Sequence, residues 1–280
     1  MTALDRSYRH CASLSRRHGS SYYWSTKLLP LADQRHVHAL YALARTADDI
    51  VDLPPVGGRQ PAEALVAFTR RFFTDLDAGR SDDLAMRAVI DTAVIFELER
   101  SVFERFFASM EMDLSVTRYD SWDDLLIYMD GSAAVIGEMM LPILRPVDPD
   151  AAVGPARDLG LAFQLTNFLR DIAEDLDRGR QYLPQHDLRG FDVDLTEREI
   201  TPQFIAMMQF EIDRCRALYR SAEHGIALLP RRSASCIRAA HTVYGEILDR
   251  IEASGYDVFT ARARVPTTRK LAVTARQLIG

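Results

Sequence analysis

Two stretches of this chain carry a polar stripe along a helical pattern that is otherwise apolar, and each stripe ends in two aspartates four residues apart. In HALYALARTADDIVD, Tyr41, Arg45, Asp48 and Asp52 recur at three- and four-residue steps, which places them along one side of a helix. In LGLAFQLTNFLRDIAEDLDRGRQYLP, Gln164, Asn167, Asp171 and Asp175 follow the same rule. Core-type residues fill the gaps: Leu40, Leu43, Ala44, Ala47 and Ile50 in the first copy, Leu161, Ala162, Phe163, Leu165, Phe168, Leu169 and Ile172 in the second. The fold must therefore accommodate two core-type helices, each bearing acids and amides that a plain apolar core rejects.

Carboxylates at this spacing repel one another, and more strongly as their surroundings become less polar. One Asp-x-x-x-Asp alone reads as a solvated acidic face. Its repetition, with Arg, Tyr and amide partners on the same stripes, points to a compensating cation. Mg²⁺ takes oxygen ligands and is commonly held by one or two carboxylates together with substrate phosphates, so a magnesium–diphosphate cluster is the expected occupant. Asp49 and Glu174 lie beside the stripes, either as neighbours of the site or as ordinary surface charge.

Composition narrows the partners. A formal charge of −6 argues against a nucleic acid held by phosphate electrostatics. Basic groups such as Arg231 and Arg232, or Arg262, Arg264, Arg269 and Lys270, are local exceptions that read as solvated helix ends or as contacts to an anion or a membrane surface. Cys11, Cys215 and Cys236 show neither disulfide nor zinc spacing, which fits a reducing cytoplasm. The start MTALDRSYRH lacks the apolar centre of a signal peptide, and no apolar run of about 18 residues stands out, so peripheral membrane contact is expected rather than a span.

The periodicity predicts helices nearly throughout. The first covers about Leu4 to Arg16 and the second about Leu31 to Leu53, ended by Pro54, Pro55, Gly57 and Gly58. Pro61 opens another, Phe103, Phe106, Phe107 and Met110 lie on a further one, and Ser121 with Asp124 forms a capping box before a helix that runs through YMDGSAAVIGEMM to Pro142. The small residues Gly131, Ser132, Ala133, Ala134 and Gly137 leave two readings open: close helix packing, or one wall of a cavity for a long ligand. Thr201 and Pro202 start a helix to about Ile226, followed by one from Ser233 to Ser254 and a short terminal one. With no linker in view, residues 1–280 read as one all-α domain.

These motifs are recognisable. GSSYYWSTKLLP, ALYALARTADDIVD, YMDGSAAVIGEMMLP, LGLAFQLTNFLRDIAEDLDRGRQYLP and YGEILDRIEASGYDVF, in this order from about residue 18 to 259, make the chain resemble the squalene and phytoene synthase family of head-to-head prenyltransferases. The resemblance implies an isoprenoid-synthase-type helical bundle around a central cavity, with the two acidic motifs opposed. It implies that Asp48, Asp52, Asn167, Asp171 and Asp175 hold Mg²⁺, or Mn²⁺ in its place, and that Tyr41 and Arg45 join these acids in catalysis. His18, Ser21, Tyr41, Arg45, Gln164, Asn167, Arg170, Tyr182, Tyr244 and Arg264 match the family's diphosphate and pocket contacts. Gly19 and Ser20 replace the Ser-Lys that follows the histidine in some relatives, so no lysine contact to phosphate is expected there.

By the same resemblance, two prenyl diphosphates join through a cyclopropylcarbinyl diphosphate, and a second ionisation gives the head-to-head product. The wording of FFASMEMDLSVTRY and MDGSAAVIGEMMLP is closer to bacterial phytoene synthases, which implies geranylgeranyl diphosphate as substrate and no NADPH. Farnesyl diphosphate, giving squalene or dehydrosqualene, is the alternative within enzymes. A non-catalytic helical binding or assembly factor is the alternative from another class. Tyr22, Tyr23, Phe163 and Tyr244 are the aromatic faces available to steady a carbocation, at roughly 0.5–2 kcal/mol each.

Overall fold

The computed structural model describes residues 2–18, 20–53 and 60–279, the side chains of residues 20, 21, 278 and 279 excepted. The proposed helix stop at Pro54, Pro55, Gly57 and Gly58, the Gly19–Ser20 departure and the Ser21 contact lie outside the described residues. Within them the expected helices form: α1 (Ala3–His18), α3 (Leu31–Asp52), α4 (Pro61–Asp77), α6 (Arg100–Met112), α7 (Trp122–Met129), α8 (Val135–Leu144), α9 (Pro149–Arg170), α12 (Pro202–Ile226), α13 (Arg231–Ala253) and α14 (Thr267–Ile279). The short α2 (Ser20–Thr26), α5 (Met86–Ile95), α10 (Ile172–Asp177) and α11 (Gln185–Gly190) complete the order. Among the described residues the only β pairing is an isolated bridge between Arg118 and Gln181.

Local chemistry sets the starts. Ser121 and Asp124 make the reciprocal capping box at α7, each side chain accepting from the other's backbone N–H. The Phe204 N–H donates to the Thr201 hydroxyl at 3.1 Å, and Pro202 follows in the first turn of α12, where its missing N–H costs nothing.

Two helices depart from the regular pattern the sequence suggests. Between α7 and α8 the residues Asp130–Ala134 form a π-helical turn, and the segment then runs past Pro142 to Leu144. Around that turn, Arg105 and Arg157 of α6 and α9 clasp Asp130 and Glu138, with Arg105 donating to Asp130 at 2.7 Å and to Glu138 at 2.9 Å. The second acidic stripe does not lie on one helix: α9 ends at Arg170, and Asp171 adopts φ −106°, ψ 15° before α10 begins. Residues one apart do not face each other on a regular α-helix, and the break is where Arg170 clasps Asp171 through two hydrogen bonds.

The small residues of the π-turn segment serve both readings left open by the sequence. A Cβ on Gly131 would stand 2.0 Å from the Arg105 carbonyl oxygen, and one on Gly137 2.2 Å from that of Ala156, so these glycines allow backbones to touch. Ser132, Ala133, Ile136 and Met140 face a cavity instead.

By length and composition alone, Trp122–Leu144 is apolar enough to cross a membrane, with a mean hydropathy of 1.3. This corrects the sequence reading that no such run exists. In the fold the segment is an inner helix, fixed to α6 and α9 by the Arg105 and Arg157 clasp and by close glycine contacts.

The core falls into two apolar clusters. One gathers Leu165, Leu169, Phe204, Met208, Ile212 and Ile247 of α9, α12 and α13; the other gathers Leu43, Phe72, Ile90, Phe103 and Phe107 of α3 to α6. Val37 and Met140 touch both clusters and line the cavity between them, so the cavity follows the seam of the bundle.

Candidate active site

The seam cavity has a volume of about 320 Å³ and is walled by α3, α8, α9 and α13, with Leu40, Ala44, Phe106, Ile136, Gly160 and Ala240 among its apolar lining. The stripe residues enter it from α3 and α9, Tyr41 and Asp48 from the first, Gln164 and Asn167 from the second, while the hydroxyl residues Ser25, Thr26 and Ser132 line it elsewhere. The polar stripes of the sequence therefore converge on an apolar chamber.

The two acidic motifs meet there. Asp52, at the end of α3, accepts from Arg180 at 2.7 Å and from Arg178 at 3.3 Å, and both arginines belong to the turn that follows α10. Arg180 also donates to the carbonyl of Asp113 at 3.2 Å, which ties the end of α6 to the same point. Asp171 accepts from Arg170 and, at 2.6 Å, from Arg262, whose guanidinium also reaches Glu174 at 3.3 Å. Arg45 pairs with Asp49 on its own helix, and its Nε is buried without a partner.

The remaining carboxylates are crowded rather than neutralised. Asp48 keeps accessible surface because it faces the chamber, yet protein surrounds it; that burial, then Asp52 and Asp113, push its carboxyl up to about 7. Burial, then Asp171, push Asp175 up to about 7 as well, against the pull of Arg178 and Arg180. Asp113 rises to about 6, again mainly through burial, although the Tyr128 hydroxyl donates to it at 2.9 Å and the Tyr182 hydroxyl at 3.1 Å.

This environment fits a divalent cation on two observations. Asp48 and Asp175 are held away from their charged form by proximity and burial, a cost that a cation reverses. The Asn167 Oδ1 atom is buried with no hydrogen-bond partner, an acceptor that awaits a donor or a metal. Among the described residues no three His, Cys, Asp or Glu side chains gather on one point.

The other sequence-selected residues fall into place unequally. Tyr244 packs against Tyr22 and Phe163, ring centroids 4.9 and 4.5 Å away, and forms an aromatic wall with them. Tyr23 lies apart, stacked on His38. Tyr182 is stacked on Phe168 at 4.0 Å and holds Asp113 rather than lining the chamber. His18 is the exposed last residue of α1, and Arg264 is exposed; Arg262, two residues earlier, is the one that reaches the second acidic motif.

Asp113, Tyr128, Arg178 and Arg180 escaped the sequence reading, and Arg262 entered it only within a basic group read as a solvated helix end or a contact to an anion or a membrane surface. The two arginines in DRGRQYLP could have been picked out as basic residues directly behind an acidic stripe. Asp113 has no local signal, since it is an isolated acid at a helix end.

Proteins similar to this chain fall in one family. The profile described as squalene/phytoene synthase matches residues 15–269. The 15-cis-phytoene synthase of Synechococcus elongatus is 36% identical, covering 97% of this chain and 92% of the relative. That of Synechocystis is also 36% identical, covering 96% and 83%. A crystal structure of a dehydrosqualene synthase in complex with ligand superposes with a TM-score of 0.88 at 26% identity, covering 99% of this chain and 96% of the other.

Proposed function

The chain belongs to the squalene/phytoene synthase family, and from that premise we propose that it joins two geranylgeranyl diphosphates head to head into phytoene and releases pyrophosphate. It acts in carotenoid biosynthesis as a single domain, in the cytoplasm or at a membrane surface. The observation that carries this reading is that Asp48 of the first motif and Gln164 and Asn167 of the second line one apolar seam cavity, while Arg180, just behind the second motif, binds Asp52 of the first.

Asp48, Asp52, Asn167, Asp171 and Asp175 would hold Mg²⁺, or Mn²⁺, which when bound would supply charge neutralisation for a departing diphosphate. Arg178 and Arg180 beside Asp52, Arg170 and Arg262 beside Asp171, and Arg45 beside Asp49 provide fixed positive charge for phosphate oxygens. Leu40, Ala44, Phe106, Ile136 and Gly160 keep water from the allylic cation. Tyr22 and Phe163 present aromatic faces along the chamber and steady that cation as the second substrate's double bond attacks it. Loss of a proton ends the reaction without NADPH.

A second reading has one observation in its favour: the high structural similarity to a dehydrosqualene synthase points to farnesyl diphosphate. Product analysis by mass spectrometry decides between them. The enzyme is incubated with Mg²⁺ and each diphosphate, with and without NADPH. Phytoene from geranylgeranyl diphosphate without reductant supports the first reading, and a C30 product as the sole outcome overturns it. Asp48→Ala and Asp171→Ala are each expected to abolish turnover while circular dichroism stays helical, and wild-type rates in either would remove the assigned roles.

A further inference from the structure

The end of the cavity away from the acids lies beneath three chain turns that are pinned together. Arg145, in the turn between α8 and α9, donates to Asp33 at 2.7 and 2.8 Å and so binds the start of α3. In the same turn, the Val147 N–H donates to the Leu228 carbonyl at 2.8 Å and binds the turn between α12 and α13. Leu144, Ala152 and Leu229, from these same turns and their flanks, line the cavity directly beneath. Along α3, Asp33 and Asp48 are separated by about 22 Å of helix, which sets this face opposite the metal and diphosphate end.

What this face shows to solvent is unusual for the molecule. Leu31 is 84% exposed and Val147 77%, the two most exposed large apolar side chains among the described residues. Four exposed cations sit in or beside the same turns, on a chain whose net charge is −6: Lys27, over the Tyr23 ring, ahead of α3, Arg145 two residues before Val147, and Arg231 and Arg232 at the start of α13. Arg231 and Arg232 occupy the first turn of α13, where the helix dipole disfavours positive charge, and neither joins an ion pair among the described residues. Nearby acids are mostly committed: Asp33 to Arg145, and Asp148 to the first turn of α9 through the Ala151 N–H. Asp150 is the exposed exception.

We propose that this face docks on a lipid bilayer carrying anionic headgroups, with Leu31 and Val147 entering the acyl boundary and Arg231 and Arg232 meeting the headgroup phosphates. Apolar anchors accompanied by cations are the chemistry that an anionic membrane surface recognises. The partner follows from the proposed reaction, whose product is a hydrocarbon without a polar group. The cavity ends under the docking face, so that product leaves into lipid without crossing water.

Flotation of the full-length protein with phosphatidylcholine vesicles, with and without phosphatidylglycerol, tests this surface and needs no substrate or turnover. Its outcome is therefore independent of whether the proposed reaction is right. Wild type is expected to float with the phosphatidylglycerol vesicles and less with pure phosphatidylcholine. Leu31→Glu with Val147→Glu should weaken the partition by at least about tenfold, and Arg231→Gln with Arg232→Gln by about tenfold on the anionic vesicles alone. Both should keep their helical circular dichroism and melting behaviour. Val94→Glu with Ile95→Glu, on an exposed apolar site of α5, should float like wild type. Wild type that stays in the soluble fraction, or double variants that float unchanged, overturns the proposal. So does a wild-type dimer that Leu31→Glu with Val147→Glu splits, since that assigns the face to a second copy.

Discussion

Asp48 shows how a single side chain reports the state of the site. Its carboxyl is raised from 3.8 to about 7, so as pH climbs through that window the unfolded chain gives up the proton first and the fold loses stability. Above about pH 7 the cost is fully present; below about pH 4 it is gone. Asp48→Asn removes it at nearly constant shape. Asp48 keeps surface open to the chamber, where solvent screens part of that cost, so the variant is expected to melt up to about 2–4 °C above wild type at pH 8 without metal, with the gap closing toward pH 4. His36 and His38, whose burial pushes both down to about 4, change stability in the opposite sense, but they are common to both proteins and cancel in the comparison. Saturating Mg²⁺ should erase the gap at pH 8, because the cation neutralises in wild type what the amide removes in the variant. A variant no more stable than wild type at pH 8 would show that Asp48 is not crowded in solution.

At the scale of elements, the π-turn between α7 and α8 and the break between α9 and α10 aim the chemistry. The first lets one segment turn Gly131 toward α6 and Ser132 and Ala133 toward the cavity. It is paired with α9 through Gly160, where a Cβ would stand 2.4 Å from the Ala133 carbonyl oxygen. Gly160→Ala therefore forces α9 off the π-turn and should destabilise the fold by about 1–3 kcal/mol in urea denaturation. Gly245→Ala, inside α13 with nothing beyond its own helix and chain neighbours within 4 Å of the added methyl, should be neutral or stabilising by up to about 1 kcal/mol. Equal effects at both positions would mean that helix propensity, not contact between backbones, sets the use of glycine in α9.

For the whole molecule, the seam between two apolar clusters forms the cavity of the proposed reaction, and arginines from distant elements bind the acids of both motifs. Arg180 joins α3, α6 and the turn after α10, while Arg262 brings in the segment before α14. Those contacts are between protein groups, yet each guanidinium also suits a phosphate, so metal and diphosphate should bind jointly. Mg²⁺ with inorganic pyrophosphate is expected to raise the melting temperature by several degrees, and by more than the sum of the two shifts measured separately. Additive shifts would mean that the two do not share one site.

Helix content, the two acidic stripes and most helix starts were legible in the sequence because they rest on local rules: periodicity, capping pairs and proline position act within a few residues. The lining of the chamber by Tyr41, Asp48, Gln164 and Asn167 was legible for the same reason, since a stripe on an apolar helix has one direction to face. The partners were not. Asp113 reaches the site only because Tyr128 and Tyr182 turn it there, and Arg262 meets Asp171 across 91 residues of chain. The break at Asp171 and the π-turn at Asp130 depend likewise on guanidinium groups supplied by other segments or freed by the break itself. Residue spacing along one helix determined which side chains share a face; the packing of helices against one another decided which charges those faces meet, because pairing across the bundle is set by distances that spacing within a helix does not encode.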